Sequence, residues 1–262
     1  MPPIRIAVAT CCFSQPLKPS LHTAADIGAQ AVQLDARNEL KPAELSDTGR
    51  RQLLHDLDEM GLSVASLSFP TRRAFFDSEQ LEARVAAAKT AMQFAYQLEA
   101  RIVTARVGRI PEDPDSAQFR LLCDVLNDLA RHGNHVGATF SITPSRDSAR
   151  SLAQMIERVT EGPIGINFDP ATFVMAGEHP TEALRTLHES VTHVQIRDAI
   201  QDLDGSGLEV PVGRGEVPWD EFLALIDETG YQGWLTVDRT QGDDKRNDAA
   251  RAVQFLRQVS RG

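Results

Sequence analysis

Eight short runs of apolar and β-branched residues punctuate the chain: IRIAVAT (4–10), AVQLD (31–35), SVASLSF (63–69), RIVTARV (101–107), ATFSIT (138–143), IGINFD (164–169), THVQIR (192–197) and WLTVD (234–238). Each is too short for a helix and is bounded by polar or turn-forming residues, so each is predicted to be a strand. Helical spacing fills the gaps. DSEQLEARVAAAKTAMQFAYQLEA (77–100) places Asp77 and Gln80 as a capping box, and PWDEFLALIDETGYQG carries Gly230 where a helix can close. Strand and helix alternate throughout, and eight such units in 262 residues predict an α/β fold, a (β/α)8 TIM barrel in a single domain spanning residues 1–262. A doubly wound sheet would carry a glycine-rich turn after its first strand. The turn here reads TCCFSQP, and neither a GxGxxG nor a P-loop pattern occurs, which argues against a nucleotide cofactor.

A barrel strand turns its apolar side to the helices, so the alternate residues face the interior. In VTHVQIRDA (191–199), Val194 and Ile196 take the outward positions. His193, Gln195 and Arg197 then point inward, with Arg197 nearest the C-terminal mouth, and Asp198 begins the loop. The same alternation sends Gln33 and Asp35, Ser141 and Thr143, Asn167 and Asp169, and Thr236 and Asp238 inward. Barrel interiors are normally filled by branched apolar side chains, so this polar lining must hydrogen-bond to itself as a hydrated plug or meet a ligand. His193, deeper than Gln195, reads as a satisfied core imidazole. Arg37, Arg72, Arg73, Arg106, Arg109, Arg197, Arg214 and Arg239 fall just past strand ends. Guanidinium forks grip carboxylate and phosphate, so such a ring predicts capture of a small anion, unless its members pair with Asp35, Glu39, Glu112 and Asp113.

Charge narrows the partners. A formal net charge of −10 and a pI near 5.2 repel polyanions, which argues against nucleic acid or an anionic membrane. Any anionic ligand must be held locally. Three cysteines, Cys11, Cys12 and Cys123, suit neither a disulfide framework nor a CxxC metal knuckle, and they favour a reducing, cytoplasmic setting. The opening MPPIRIAVAT has no export-signal pattern, and no window is long and apolar enough for a membrane span. Cys11 and Cys12 end the first strand, where nearby arginines would lower a thiol pKa, although no histidine is placed as its base. Trp219 and Trp234 fall at packing positions.

The C-terminal third, THVQIRDA followed by VPVGRGEVPWDEFLALIDETGYQGWLTVD, resembles the closing part of the xylose-isomerase-like TIM-barrel superfamily, and FDPATF with AGEHP resembles its sixth-strand segment. That superfamily includes sugar epimerases, hydroxypyruvate isomerases, inosose dehydratases and endonuclease IV. The resemblance implies a divalent metal held at the ends of strands five to eight, where this chain has Thr143, Asp169, Gln195 and Asp238. Thr172 stands at a position where the family has a substrate-contacting histidine. Only Asp169 keeps the family residue. Asp169, Asp238 and Gln195 offer oxygen ligands suited to Mg²⁺ or Mn²⁺ but not to Zn²⁺. The other reading is that the metal is absent or weak and the two aspartates pair with Arg197 or Arg239.

Three functional readings stay open. In the first, the protein is an isomerase or epimerase of a sugar or sugar acid, free or phosphorylated. Asp238 and Asp169 are then catalytic, with Asp238 the base. Gln195, Thr143, Thr172 and Asp35 contact the substrate, and Arg197, Arg106 and Arg109 bind its anionic group. In the second, the barrel is catalytically silent and binds a small anionic carbohydrate-like metabolite. In the third, it is a metal-free lyase or dehydratase. A homodimer is compatible with all three.

Overall fold

The apolar runs form the staves of a closed parallel barrel in a computed structural model that describes residues 4–202 and 207–259. They are β1 (Ile6–Ala9), β2 (Ala31–Asp35), β3 (Ser63–Ser68), β4 (Ile102–Ala105), β5 (Thr139–Ile142), β6 (Ile164–Phe168) and β7 (Val191–Ile196). A short antiparallel hairpin follows, β8 (Asp198–Ile200) with β9 (Leu208–Val210), and β10 (Leu235–Val237) closes the barrel between β7 and β1. Around it lie α1 (Leu17–Asp26), α2 (Asp47–Glu59), α3 (Leu81–Gln97), α4 (Ala117–Val136), α5 (Ala149–Glu157), α6 (Pro170–Met175), α7 (Pro180–Leu187), α8 (Trp219–Glu228) and α9 (Lys245–Val259). None of these helices is long and apolar enough to cross a membrane.

The outward strand positions are those the alternation predicts: Val8, Leu34, Phe140, Ile166, Val194 and Ile196 are fully buried against the helix layer. Helix α4 answers with Phe119, Leu122, Leu126 and Leu129 on one buried face, starts at a Ser116 side chain that accepts the Phe119 N–H, and stops at Gly137. Gly230, at φ 70°, follows α8 as expected. The capping box at α3 does not form. Gln80 precedes the helix in a left-handed conformation and its side chain caps nothing; α3 starts only at Leu81, past a tight turn closed by the Leu81 N–H on the Ser78 carbonyl. The Asp77 carboxylate turns instead to the Glu79 N–H and to Arg73.

Two bulges reset the inward face. The β2–β3 register skips Ala65, and the β6–β7 register skips Thr192. Thr192 therefore faces inward directly before His193, with its hydroxyl 2.8 Å from Ser141 Oγ, a departure from strict alternation. Gly165 makes room, since a Cβ there would lie 1.9 Å from Thr192 Oγ1. At the base of the interior, Ala7, Ala31 and Ala65 pack together against Trp234.

Asp198 organises the segment after β7. Its carboxylate accepts the backbone N–H groups of Ala199, Gly213, Gly215 and Val217 and the Trp219 indole N–H, at 2.8–3.2 Å. The GRGEVPW turn is wrapped around this one anion. Gly215 is needed because a Cβ would sit 2.1 Å from Asp198 Oδ1. With that turn fixed, the β8–β9 hairpin and the start of α8 are held beside the mouth.

Candidate active site

Above the alanine layer lies a column of polar side chains, one from nearly every stave. His193 is its centre. Its Nδ1 is 2.7 Å from Asn167 Oδ1, and its Nε2 lies 3.0 Å from Ser66 Oγ and 2.9 Å from Thr236 Oγ1. The Asn167 amide nitrogen donates to Thr143, leaving its oxygen to face His193, so Nδ1 carries the proton and Nε2 accepts from the two hydroxyls. Burial pushes the imidazole pKa down to about 3, so it is neutral at any ordinary pH. The expectation of a satisfied core histidine holds.

One layer higher, Gln33 donates to Ser66 and Thr104 and accepts from Gln195 Nε2, which also donates to Asp238 Oδ2 at 3.1 Å. Both Gln195 donors are therefore engaged, and its Oε1 is left without a partner. On the adjacent stave, Asp169 Oδ2 accepts Arg197 Nη1 at 2.5 Å and Thr172 Oγ1 at 2.8 Å, while Oδ1 is unpartnered. Arg197 also reaches Glu209 on β9, leaving its Nε unpaired. Gln33, Thr104, Asp169, Gln195, Arg197 and Asp238 border a cavity of about 240 Å³ at the C-terminal mouth, whose lining also includes Cys11, Arg106, Thr143 and Thr240.

Burial alone would strip the Arg197 charge, but Asp169, Asp238 and Glu209 outweigh it and hold the guanidinium more firmly protonated than usual. Burial likewise works to raise Glu209, yet Arg197 and Thr240 keep its carboxyl below the ordinary range. Arg239 stands behind, bonded to Glu209 Oε1 and Asp248 Oδ2, each at 3.0 Å. Glu209 thus bridges two arginines, a role nothing in its sequence neighbourhood announces.

The arginine ring is largely dispersed. Arg197 and Arg239 are neutralised by buried carboxylates, and Arg109 points to solvent beside Glu112, outside the cavity lining. Arg37, Arg72 and Arg73 line a separate groove against α3. Arg106 remains as an exposed cation on the cavity wall, with no ion pair among the described residues. Asp35 borders the cavity, but its carboxylate is occupied by the Arg37 and Asn38 N–H groups and the Asn38 amide. Thr172 is buried behind Asp169 and orients it rather than lining the cavity. The expected low thiol pKa is also reversed. Cys12 is raised well above its usual value by its bond with Cys11, by burial and by the Asp238 charge, because a carboxylate rather than an arginine is its charged neighbour.

The donors at Asp169, Gln195 and Asp238 do not fit a resident Mg²⁺ or Mn²⁺. A guanidinium is already seated on Asp169, a divalent ion there would be repelled by it, and among the described residues no trio of acidic, histidine or cysteine ligand atoms converges on Asp169. Arg197 supplies the positive charge at this end of the barrel.

Comparison with known proteins agrees with the architecture. The chain is 22% identical over 239 residues to an inosose dehydratase of Geobacillus thermodenitrificans, across 76% of this chain and 77% of that one. An inosose dehydratase of Clostridium beijerinckii is 25% identical over 150 residues, a match that spans only about half of either protein (47% and 48%). Among solved structures, a xylose isomerase domain protein from Planctomyces limnophilus superposes with a TM-score of 0.86 at 24% identity, over 98% of both chains. A xylose isomerase-like TIM barrel protein from Mycobacterium smegmatis, in complex with magnesium, gives 0.79 at 20% identity, over 98% of this chain and 96% of that one. The sequence profile of one family matches residues 21–259. On that match, over a closed eight-stave barrel with its polar residues gathered at the C-terminal mouth, the chain belongs to the xylose isomerase-like TIM barrel family.

Proposed function

We propose that this protein enolises a small polyhydroxylated carbonyl compound, a sugar or sugar acid, and isomerises it without a resident metal. Asp238 removes the proton from the carbon beside the carbonyl, and Arg197 stabilises the charge that develops on the carbonyl oxygen. The observation that carries this reading is the set of buried orphan atoms at one cavity: two acceptors, Asp169 Oδ1 and Gln195 Oε1, and one donor, Arg197 Nε. Each costs about 1–3 kcal/mol while unpaired, and the hydroxyls and carbonyl of such a ligand complement all three.

Asp238 is half-buried, borders the cavity and accepts a hydrogen bond from Gln195, which supports it as the base. Its proton balance closes with one base. Asp238 takes the C–H proton, the electron pair moves to the carbonyl oxygen, a proton passes between the two substrate oxygens, and Asp238 returns its proton to the neighbouring carbon on the same face. Thr143 offers no second carboxylate, which favours this one-face shift over two-base epimerisation. A charged tail on the substrate would meet Arg106.

A second reading is dehydration, favoured by the inosose dehydratase relatives. It begins with the same enolisation, after which protonated Asp238 gives its proton to a departing hydroxyl. Aldoses, ketoses, sugar acids and inososes incubated in D₂O with chelator present test both readings by nuclear magnetic resonance. Deuterium at the carbon beside the carbonyl, lost in Asp238→Asn, is the expected result. Retained hydroxyls mark isomerisation and lost ones dehydration. No exchange with any of these compounds would leave a barrel that only binds.

A further inference from the structure

Cys11 and Cys12 are not used by that reaction, yet both sulfurs turn to its base. They lie in the middle of a 3-10 turn (Thr10–Phe13) directly after β1, and β1 lies beside β10 in the barrel, which brings them to Asp238 just past the end of β10. Cys12 Sγ is 3.6 Å and Cys11 Sγ 3.8 Å from Asp238 Oδ1, and the ligand atoms of the three residues all lie within 4.8 Å of one another. Zinc held tetrahedrally by sulfur at about 2.3 Å and carboxylate oxygen at about 2.0 Å sets sulfur–oxygen edges of roughly 3.5 Å. The two sulfur–oxygen separations are therefore already close to those of a filled site.

The surroundings complete the case. The Arg239 backbone N–H points at Cys12 Sγ from 3.1 Å, a contact that supports negative charge on a ligating sulfur. Gln195 holds the far oxygen of Asp238 and so fixes the carboxylate. Cys12 is buried while Cys11 is exposed and borders the cavity, which gives an ion a path in and leaves a fourth position open toward the mouth.

We propose that Cys11, Cys12 and Asp238 form a binding site for a thiophilic divalent cation of the Zn²⁺ class at the edge of the cavity. This donor set shares only Asp238 with the oxygen set at Asp169 and Gln195, and its sulfur ligands select a different metal. Binding exchanges two thiol protons for one cation: both sulfurs coordinate as thiolates, the protons pass to solvent, and the carboxylate binds as it is. The site does not depend on the isomerase reading. Where that reading holds, the cation also withdraws Asp238 from proton transfer and so inhibits.

Cobalt is the probe, titrated as Co²⁺ alone into the full chain under reducing conditions, with absorbance and proton release followed together. The expected result is a sulfur-to-cobalt charge-transfer band that saturates at one ion per chain with proton release. Cys11→Ser and Cys12→Ser should abolish it, Asp238→Asn should weaken binding while leaving the sulfur-to-cobalt band detectable at higher Co²⁺, and Cys123→Ser on α4 should leave it intact. Cys11 is exposed, so its serine variant keeps the fold, and a thermal melt verifies this. No band, a band that survives both serine variants, or a band lost with Cys123→Ser would overturn the proposal. The readout involves no substrate, so a protein without isomerase activity neither supports nor weakens it.

Discussion

His193 and Gln195 are two residues apart on β7 and both face the barrel interior, yet their surroundings differ in kind. Around His193, the hydroxyls of Ser66 and Thr236 and the Asn167 amide engage both ring nitrogens. Around Gln195, one layer nearer the mouth, three buried atoms on three residues lack partners. Polarity inside a barrel is therefore not in itself a mark of function. A closed network is a structural plug, whereas an open one facing a cavity is prepared for a ligand.

Replacement of the proposed base should separate the two layers most sharply. Asp238→Asn is expected to reduce kcat by about 10²–10⁴-fold, with a thermal midpoint close to that of the parent. A variant that turns over normally would remove Asp238 from the chemistry. Arg197→Met tests the mouth as a charge assembly. It leaves Asp169 and Glu209 buried without their shared cation and should cost about 3–5 kcal/mol in a denaturant titration. A loss below about 1 kcal/mol would mean that the pairing contributes little.

The plug answers to pH instead. His193 has a folded pKa near 3 against 6.5 for the free side chain, so below pH 6.5 the unfolded chain takes up a proton that the folded one refuses. Its stabilising contribution is fully present above pH 6.5 and is lost as pH falls toward 3, by up to about 1.4 kcal/mol per pH unit. Urea titrations between pH 7 and 5 should show a steeper fall for the parent than for His193→Gln, and equal slopes would mean that the imidazole titrates freely. The smallest effect belongs to Arg109. Exposed beside Glu112, it should change stability by less than about 0.5 kcal/mol on replacement by alanine and leave KM unchanged. Arg106→Ala, measured alongside it, should raise KM for anionic substrates only.

Much of this was legible in the chain. The eight strands and the inward set of Gln195, Arg197, Asp169 and Asp238 follow from a period of two, which survives in the structure because the bulge at Thr192 lies before His193 rather than after it. Glu209 was not legible. It alternates between Leu208 and Val210 on a short hairpin whose apolar Leu208 is exposed and whose charged residue is buried, the reverse of the usual pattern. Thr240 was hidden for a related reason, since it meets Glu209 across segments distant in sequence, whereas the pairing of Arg197 with Asp169 was one of the two readings the chain left open.

Local physics was therefore enough for the barrel. Backbone alternation, helix periodicity and glycine at helix ends act over a few residues, and the chain order of the strands is also their order around the barrel. What the tertiary structure alone decided is where each charge went. The arginines that cluster past the strand ends in sequence part company in space: Arg197 is neutralised by Asp169 and Glu209, while Arg109 is left in solvent beside Glu112. Cys12 meets a carboxylate rather than a cation. Coulomb interactions depend on distance and burial, and those quantities come into being only when residues far apart in the chain close on one cavity.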